Sequence, residues 1–510
     1  MNFMLNVLPS LVPLTSNDGD EACPKALLPI ANKPVIDYTL SWLDKSGIKD
    51  VLLICPSSHR AAISHYLHSD SGAPSTSLSI DVQAFDESPE SAVGACTLLR
   101  QFSSRITTDF VLLPCDFIPP PNLTLCTLLD KFRTDSVADG AIATSCWFTA
   151  TRPEKGAVPE EWGVLSPPTS IVWDKASNTL LYVDTPDDVD RNGEDFELRM
   201  SMLSRYPRTT MSLSYQDSHV YVCKHSVLDA LQQKGHFDSF KEEFLPWLCK
   251  VQYQRTKREK YGQVLSTITN NSGSSQSIAL RHSTLKAKER NASRPQRKAA
   301  QAVDPVQDTT NSPVDSDAEE EEQASLRVGV VVIPSDAGFT ARVNTLPAYL
   351  EANRHFLSQT SYSLPTDPVN RALIDPKAQI SADSMVAAST KVEERTNIKK
   401  SVIGKHCVIS RNVKVVGCVI LDHCIIAEGA KLEGCILGKN TKVGAKAELT
   451  RCVTQAGYEV DAGETVKNEK LEISDWTAAS QEESTEDGSE GDSEEGSEED
   501  GSEEQSSEED

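Results

Sequence analysis

Broken every 17 residues, positions 401–454 read SVIGKHCVISRNVKVVG (401–417), CVILDHCIIAEGAKLEG (418–434), CILGKNTKVGAKAELTR (435–451) and CVT. Aliphatic residues recur at fixed places: Ile403, Ile409 and Val415, then Ile420, Ile426 and Leu432, then Leu437, Val443 and Leu449. The steps are six, six and five, and upstream Ile380, Val386, Val392 and Ile398 keep the spacing of six. A helix of 3.6-residue periodicity cannot generate this pattern, whereas a three-sided coil with one inward aliphatic residue per side does. Residues 361–470 are therefore expected to stack such coils into a parallel β-helix, most clearly over 380–466.

Cysteines repeat with the same period. Cys418, Cys435 and Cys452 are 17 apart, and so are Cys407 and Cys424. Against a metal site, the preferred reading is a ladder of small apolar side chains inside the coils, since a free thiol behaves as a buried hydrophobe. His406 and His423 share the period as well. The stretch resembles the hexapeptide-repeat proteins, whose coils are left-handed and whose acyltransferases use a histidine base. No partner for such a base can be named here, so both histidines read as surface residues.

Working towards the N-terminus, the chain alternates short aliphatic runs with helical patterns. Asp50-Val-Leu-Leu-Ile-Cys55 and Phe110-Val-Leu-Leu113 read as buried strands. Between them, Pro34 to Lys45 places Ile36, Leu40 and Leu43 on one helical face, with Gly47 as the stop. The alternation predicts an α/β domain over residues 1–255: a mainly parallel sheet, helices on both faces, and a crevice at the carboxyl ends of the strands. From 256 to 325, basic residues such as Lys257, Lys260, Lys286 and Arg297 sit among Ser, Asn, Gln and Pro, before an acidic run from Asp315 to Glu322. That stretch reads as a disordered, solvated insertion rather than an RNA-binding segment. Arg327-Val-Gly-Val-Val-Val-Ile333 then supplies a strand, and a helix follows through Leu346, Tyr349 and Leu350, so 326–360 is expected to rejoin the first domain.

Composition narrows the function. The chain has 510 residues and a net charge of −25. Sixteen of its acidic residues, with no lysine or arginine, fall in 481–510, and subtracting them from −25 leaves −9. This balance argues against a general nucleic-acid binder, and DNA is not expected as a partner. No apolar run is long enough to span a membrane and no secretory signal is visible, so a cytosolic protein is expected. The 13 cysteines include no CxxC pair, which suits reduced, packed thiols. The tail from 477 to 510 repeats Ser-Glu-Glu at Ser493, Ser497, Ser502 and Ser507. It reads as a disordered, solvated segment, with phosphorylation by an acid-directed kinase as the functional alternative.

Pro24-Lys-Ala-Leu-Leu-Pro-Ile-Ala-Asn-Lys-Pro34, preceded by Pro13-Leu14-Thr15, resembles the signature of the sugar-nucleotide pyrophosphorylases. Their architecture, a Rossmann-like nucleotidyltransferase domain followed by a left-handed β-helix, is also the one read here. In such enzymes a sugar phosphate attacks the α-phosphate of an NTP and pyrophosphate leaves. The resemblance implies a phosphate-contacting lysine at Lys25 and a first magnesium-binding carboxylate at Asp116.

Other motif positions depart from the family. Its Gly-x-Gly-x-Arg-Leu loop aligns with Asn6-Val-Leu-Pro-Ser-Leu11, which lacks both glycines and the arginine. Pro9 moreover removes an amide donor. Glu90-Ser91-Ala92 stands where the family has its base-reading Gly-Thr-Ala. The second metal-binding Asp aligns with Arg342 in Thr340-Ala-Arg-Val-Asn-Thr345, ahead of Tyr349-Leu-Glu-Ala-Asn353. The expected outcome is an Asp116–Arg342 ion pair, no bound metal or cofactor, no catalytic residue, and Lys25, Asp116, Arg342 and Asn344 as remnants of a nucleotide site, with Lys25 either a relic phosphate contact or a charge snorkelling over the crevice.

A pyrophosphorylase-like chain with these departures resembles the gamma-subunit family of translation initiation factor 2B. Epsilon subunits carry a further helical-repeat exchange domain, for which the 44 residues after Val466 leave no room. The resemblance implies a non-catalytic partner of the epsilon subunit, assembled with alpha, beta and delta subunits and acting on translation initiation factor 2. The alternatives are a working mannose-1-phosphate guanylyltransferase-type enzyme and an inactive regulatory homologue of one.

Overall fold

A computed structural model of the chain describes residues 2–6, 11–15, 23–69, 77–86, 93–149, 169–185, 198–266, 326–359 and 364–472. Ten strands form a central sheet: β1 (Asn2–Asn6), β2 (Asp50–Pro56), β3 (Ser79–Phe85), β4 (Phe110–Pro114), β5 (Ala141–Thr149), β6 (Ile171–Asp174), β7 (Thr179–Val183), β8 (Thr209–Ser212), β9 (Tyr215–Cys223) and β10 (Arg327–Ile333). Their order across the sheet is β8-β6-β7-β10-β5-β9-β4-β1-β2-β3. Strand β10, from beyond the insertion, lies in the interior of the sheet.

The sheet is mixed, which corrects the expectation of a mainly parallel one. Strands β3, β2, β1 and β4 run parallel, as do β10 and β5. Strand β9 opposes both neighbours, and β10, β7, β6 and β8 alternate in direction. A buried aliphatic run carries no sign of its direction. The short link between β6 and β7 could have revealed it, because only antiparallel strands can be joined so briefly.

Helices cover both faces. They are α1 (Val35–Lys45), α2 (Ser57–His68), α3 (Ala95–Gln101), α4 (Leu125–Ala138), α5 (Met200–Arg205), α6 (Ser226–Gln233), α7 (Leu245–Tyr253) and α8 (Arg255–Leu265). Alternate residues of β4 split between two cores: Val111 and Leu113 pack with Ile36, Leu40 and Leu43 of α1, while Phe110 and Leu112 pack with Leu231 and Leu248 of α6 and α7. Helix α1 ends where Gly47 takes a φ of 72°. Helix α8 corrects a second expectation, because residues 256–266 are not disordered. Tyr261 and Leu265 lie on one helical face and join the core beside Trp247, whose ring centroid is 5.1 Å from that of Tyr261. The composition of the stretch showed its lysines and hid this two-residue apolar face. Residues 267–325 and the acidic tail beyond Glu472 fall outside the described residues.

After α9 (Leu346–Gln359) and the short α10 (Pro368–Ala372), the chain winds into three parallel sheets of six, six and five strands. Their registers step by 17 residues: Ile398, Val415, Leu432, Leu449 and Val466 pair in one column, and Val392, Ile409, Ile426, Val443 and Val460 in another. This is the left-handed β-helix of hexapeptide repeats. Cys407, Cys418, Cys424, Cys435 and Cys452 are buried inside it, and the Cys435 amide donates to the Cys418 sulfur at 3.4 Å.

Three columns of left-handed residues mark the corners. They contain His406, His423 and Asn440; Asn412, Gly429 and Lys446; and Gly417, Gly434 and Arg451, with φ between 56° and 75° for all but Arg451 at 53°. A left-handed corner costs a residue with a Cβ roughly 1–2 kcal/mol. In return the corner amide points along the stack: His423, Gly434 and Lys446 each donate to a carbonyl of the preceding coil at 2.9 Å. His406 and His423 are exposed on one such corner, with rings stacked 5.0 Å apart. Among the described residues, no helix is long and apolar enough to cross a membrane.

Candidate functional site

Strand β4 carries Asp116 just beyond its carboxyl end, at the rim where the crevice was expected. Arg342 belongs to a two-residue strand, Ala341–Arg342, paired antiparallel with Phe117–Ile118. The Val343 amide donates to the Asp116 carbonyl at 2.9 Å, so backbone pairing alone sets Arg342 beside this aspartate. The guanidinium grips the carboxylate with both arms: Arg342 Nε lies 3.1 Å from Oδ1 and Nη2 lies 3.0 Å from Oδ2. Lys25, from a 3-10 turn (Lys25–Leu27), brings its Nζ to 2.6 Å from Oδ2. Side-chain exposures of 4% for Lys25, 2% for Asp116 and 11% for Arg342 put the whole cluster out of water.

Burial by itself would raise the Asp116 carboxyl. Arg342 and Lys25 outweigh it and hold the group well below the usual carboxylate range. For Arg342, burial works against the charge, and Asp116 more than restores it. Asn344, two residues further on, is half-buried at the approach to α9. Three of the four positions singled out in the sequence thus meet as an ion-pair triad.

A second group shares the crevice without a sequence signal to announce it. The β9 register shifts between Asp217 and Tyr221, and His219 between them adopts a φ of 55°. Tyr221 Oη donates to Asp217 Oδ2, and the His219 amide donates to Oδ1 at 2.9 Å. Burial pushes the Asp217 carboxyl up, against the opposing pull of Lys241 and of the tyrosine hydrogen bond. The His219 imidazole is pushed well down, first by burial and then by Arg342 and Lys241.

The carboxylate pair that the pyrophosphorylase resemblance implies for magnesium is not assembled here. Both Asp116 oxygens accept from cations, and the partner position holds a guanidinium. At about 4 Å and an effective dielectric of about 20, a divalent ion gains roughly 8 kcal/mol from one carboxylate and loses the same to each of two cations. The residues do not fit that ion. Leu8 and Ser10 of the aligned loop, and Glu90-Ser91-Ala92, lie outside the described residues.

The signature segment has a second role that the sequence did not disclose. Pro29–Ile30 and Lys33–Pro34 form a hairpin whose turn residues Ala31 and Asn32 have φ of 49° and 63°. The Ala31 amide donates to Asn353 Oδ1 at 2.9 Å, and Tyr349 Oη donates to the Pro29 carbonyl at 2.6 Å. Asn32 Nδ2 reaches across to the Ile403 carbonyl of the β-helix at 3.1 Å. The β-helix answers with an outward column of Val419, Ile436 and Val453, which packs on Ile30, Leu346, Tyr349 and Leu350. Both motif segments therefore fasten the coil to the body. A 17-residue outward aliphatic column was the available signal.

Comparison with known proteins agrees with both halves. A family model described as "Nucleotidyl transferase" matches residues 10–155, and one described as "EIF2B subunit epsilon LbH domain" matches residues 369–466. The chain is 31% identical over 399 residues to a Schizosaccharomyces pombe protein named translation initiation factor eIF2B subunit gamma, covering 76% of this chain and 71% of that one. It is 22% identical to the Dictyostelium discoideum protein of the same name, over 76% of this chain and 84% of that one. A Schizosaccharomyces pombe protein named eIF2B subunit epsilon is 31% identical over 113 residues, 22% of this chain and 16% of that one.

Proposed function

Because the chain belongs to the gamma-subunit family of translation initiation factor eIF2B, we propose that it serves the eIF2B guanine-nucleotide exchange complex as a subunit without chemistry of its own. It is a member of that complex together with the epsilon subunit. The finer reading is that it supports epsilon in exchanging GDP for GTP on translation initiation factor 2, within an assembly that also holds alpha, beta and delta subunits, in the cytosol. Such a subunit works by differential binding: contacts that favour the nucleotide-free state of the GTPase accelerate release of GDP.

The observation that carries the non-catalytic reading is Arg342 clasping Asp116. A nucleotidyl transfer needs cationic stabilisation aimed at phosphate oxygens that gain charge. Here the two nearest cations are spent on an internal carboxylate, and Lys25, Asp116, Arg342 and Asn344 are read as remnants. Two measurements test this. Affinity purification of the full chain should recover the epsilon subunit, three further subunits and translation initiation factor 2; recovery of an active pyrophosphorylase instead would favour a regulatory homologue. Incubation with GTP, Mg²⁺ and mannose-1-phosphate should release no pyrophosphate. Release at an enzyme-like rate, abolished by Asp116→Ala, would overturn the reading.

A further inference from the structure

Three helices of the nucleotidyltransferase-like body turn a positive face outward, in a chain whose net charge is −25. Arg199 and Arg205 flank and end α5, Lys250 lies in α7, Lys257 and Lys260 lie in α8, and Lys234 follows α6. Contacts fix them together. Arg205 Nη1 donates to the Gln252 carbonyl at 3.0 Å, which ties the end of α5 to the end of α7. The ammonium groups of Lys234 and Lys260 lie 5.0 and 5.4 Å from the Tyr261 ring centroid, which ties α6 to α8. Arg199, Arg205 and Lys260 are exposed, and the other three are half-buried.

We propose that this face of α5, α7 and α8 is a docking surface for the phosphate backbone of RNA. Like charges gathered on half-buried helices repel one another, and among the described residues the one carboxylate of α8, Glu259, pairs with Arg255 at 2.8 Å rather than with these lysines. The Lys257 ammonium is pushed down by burial first, then by Lys250, Arg199 and Lys234, with no carboxylate among its leading influences. An anion laid across the face relieves that repulsion and releases the anion's own counterions. Lysine predominates, and it meets phosphate as a point charge rather than by a fixed fork. The cations spread over three helices, so recognition runs along a backbone and is indifferent to sequence. Tyr206, half-exposed with the Arg205 guanidinium 5.9 Å from its ring centroid, offers a base a surface on which to stack. The competing occupant is an acidic protein segment, which would anchor on Met200, 76% exposed beside Arg199.

The test uses the full chain and a short fluorescein-labelled oligouridine, with anisotropy followed from about 50 to 200 mM salt. The native chain should bind, and Lys250→Glu with Lys257→Glu should weaken binding by at least about tenfold and lower the salt slope by about 2. The milder Lys250→Gln with Lys257→Gln, melting like the native chain, should shift affinity in the same direction. Absence of binding, or affinity unchanged in both double variants, overturns the proposal, and the second result would assign any RNA contact to other parts of the chain. A polyglutamate peptide that binds more tightly than oligouridine, and loses affinity on Met200→Ser, overturns it in favour of a protein partner.

Discussion

Asp116 is buried against two cations, so its charge is structural capital with a definite pH dependence. Its carboxyl is held below the ordinary value, and the stability this carries is present above the unfolded value of about 3.9 and lost as pH falls through the folded one. Asp217 works in the opposite sense: raised by burial, it adds stability below its unfolded value and loses it as pH rises through the folded one. Asp116→Asn should therefore cost about 3–5 kcal/mol at pH 7, because it strands Arg342 and Lys25 without a counter-charge. It should also flatten the decline in stability as pH falls below about 5, since there the unfolded native chain takes up a proton at Asp116 that the folded ion pair still refuses, and the variant has no such group. Urea midpoints at several pH values read both effects. The ion pair itself was legible, because a guanidinium aligned with a carboxylate position has an obvious partner. Asp217 and Tyr221 were not. They stand in a strand-like run, and only the bulge that flips His219 brings them to the crevice.

At the scale of elements, the β-helix was the most legible part of the chain because its inward column repeats by simple counting. Its corners were less so, since residues as different as His406, Asn412, Gly417 and Lys446 share one backbone conformation. Glycines in the coils consequently differ in what they do. At Gly417 (φ 67°) an added Cβ would meet nothing within 4 Å, whereas at Gly444 it would lie 2.5 Å from the Ala462 backbone nitrogen of the next coil. Gly417→Asn should stay within about 0.5 kcal/mol of the native chain, since Asn468 already holds the same corner column at φ 58°. Gly444→Ala should cost at least about 1–3 kcal/mol, because two backbones must part to admit the methyl group. Thermal unfolding of the two variants makes the comparison. The opposite failure of reading occurred at α8, where the folded signal was only Tyr261 and Leu265 amid a basic stretch, too sparse for a periodicity argument.

On the scale of the molecule, one wall of the β-helix is sealed to the nucleotidyltransferase-like body. Neighbouring residues in a strand point to opposite sides. Leu437 belongs to the coil interior, while Ile436 belongs to the seam with Leu346, Tyr349 and Leu350. A charge at 436 should therefore leave the coil's own core intact and attack the seam alone. Ile436→Asp places an unpaired carboxylate among apolar side chains, which the interface can relieve only by parting. The expected result is that calorimetry resolves two unfolding transitions in the variant where the native chain shows one. Proteolysis should become faster in the connection between α9 and α10. Ile425→Asp is the matched control: it is the outward residue of another wall, 44% exposed, and should leave a single transition. If both variants melted alike, the seam would contribute little to holding the halves together. The hairpin at Ala31 and Asn32 would then be an incidental contact rather than the strut that sets the coil's position for its partners.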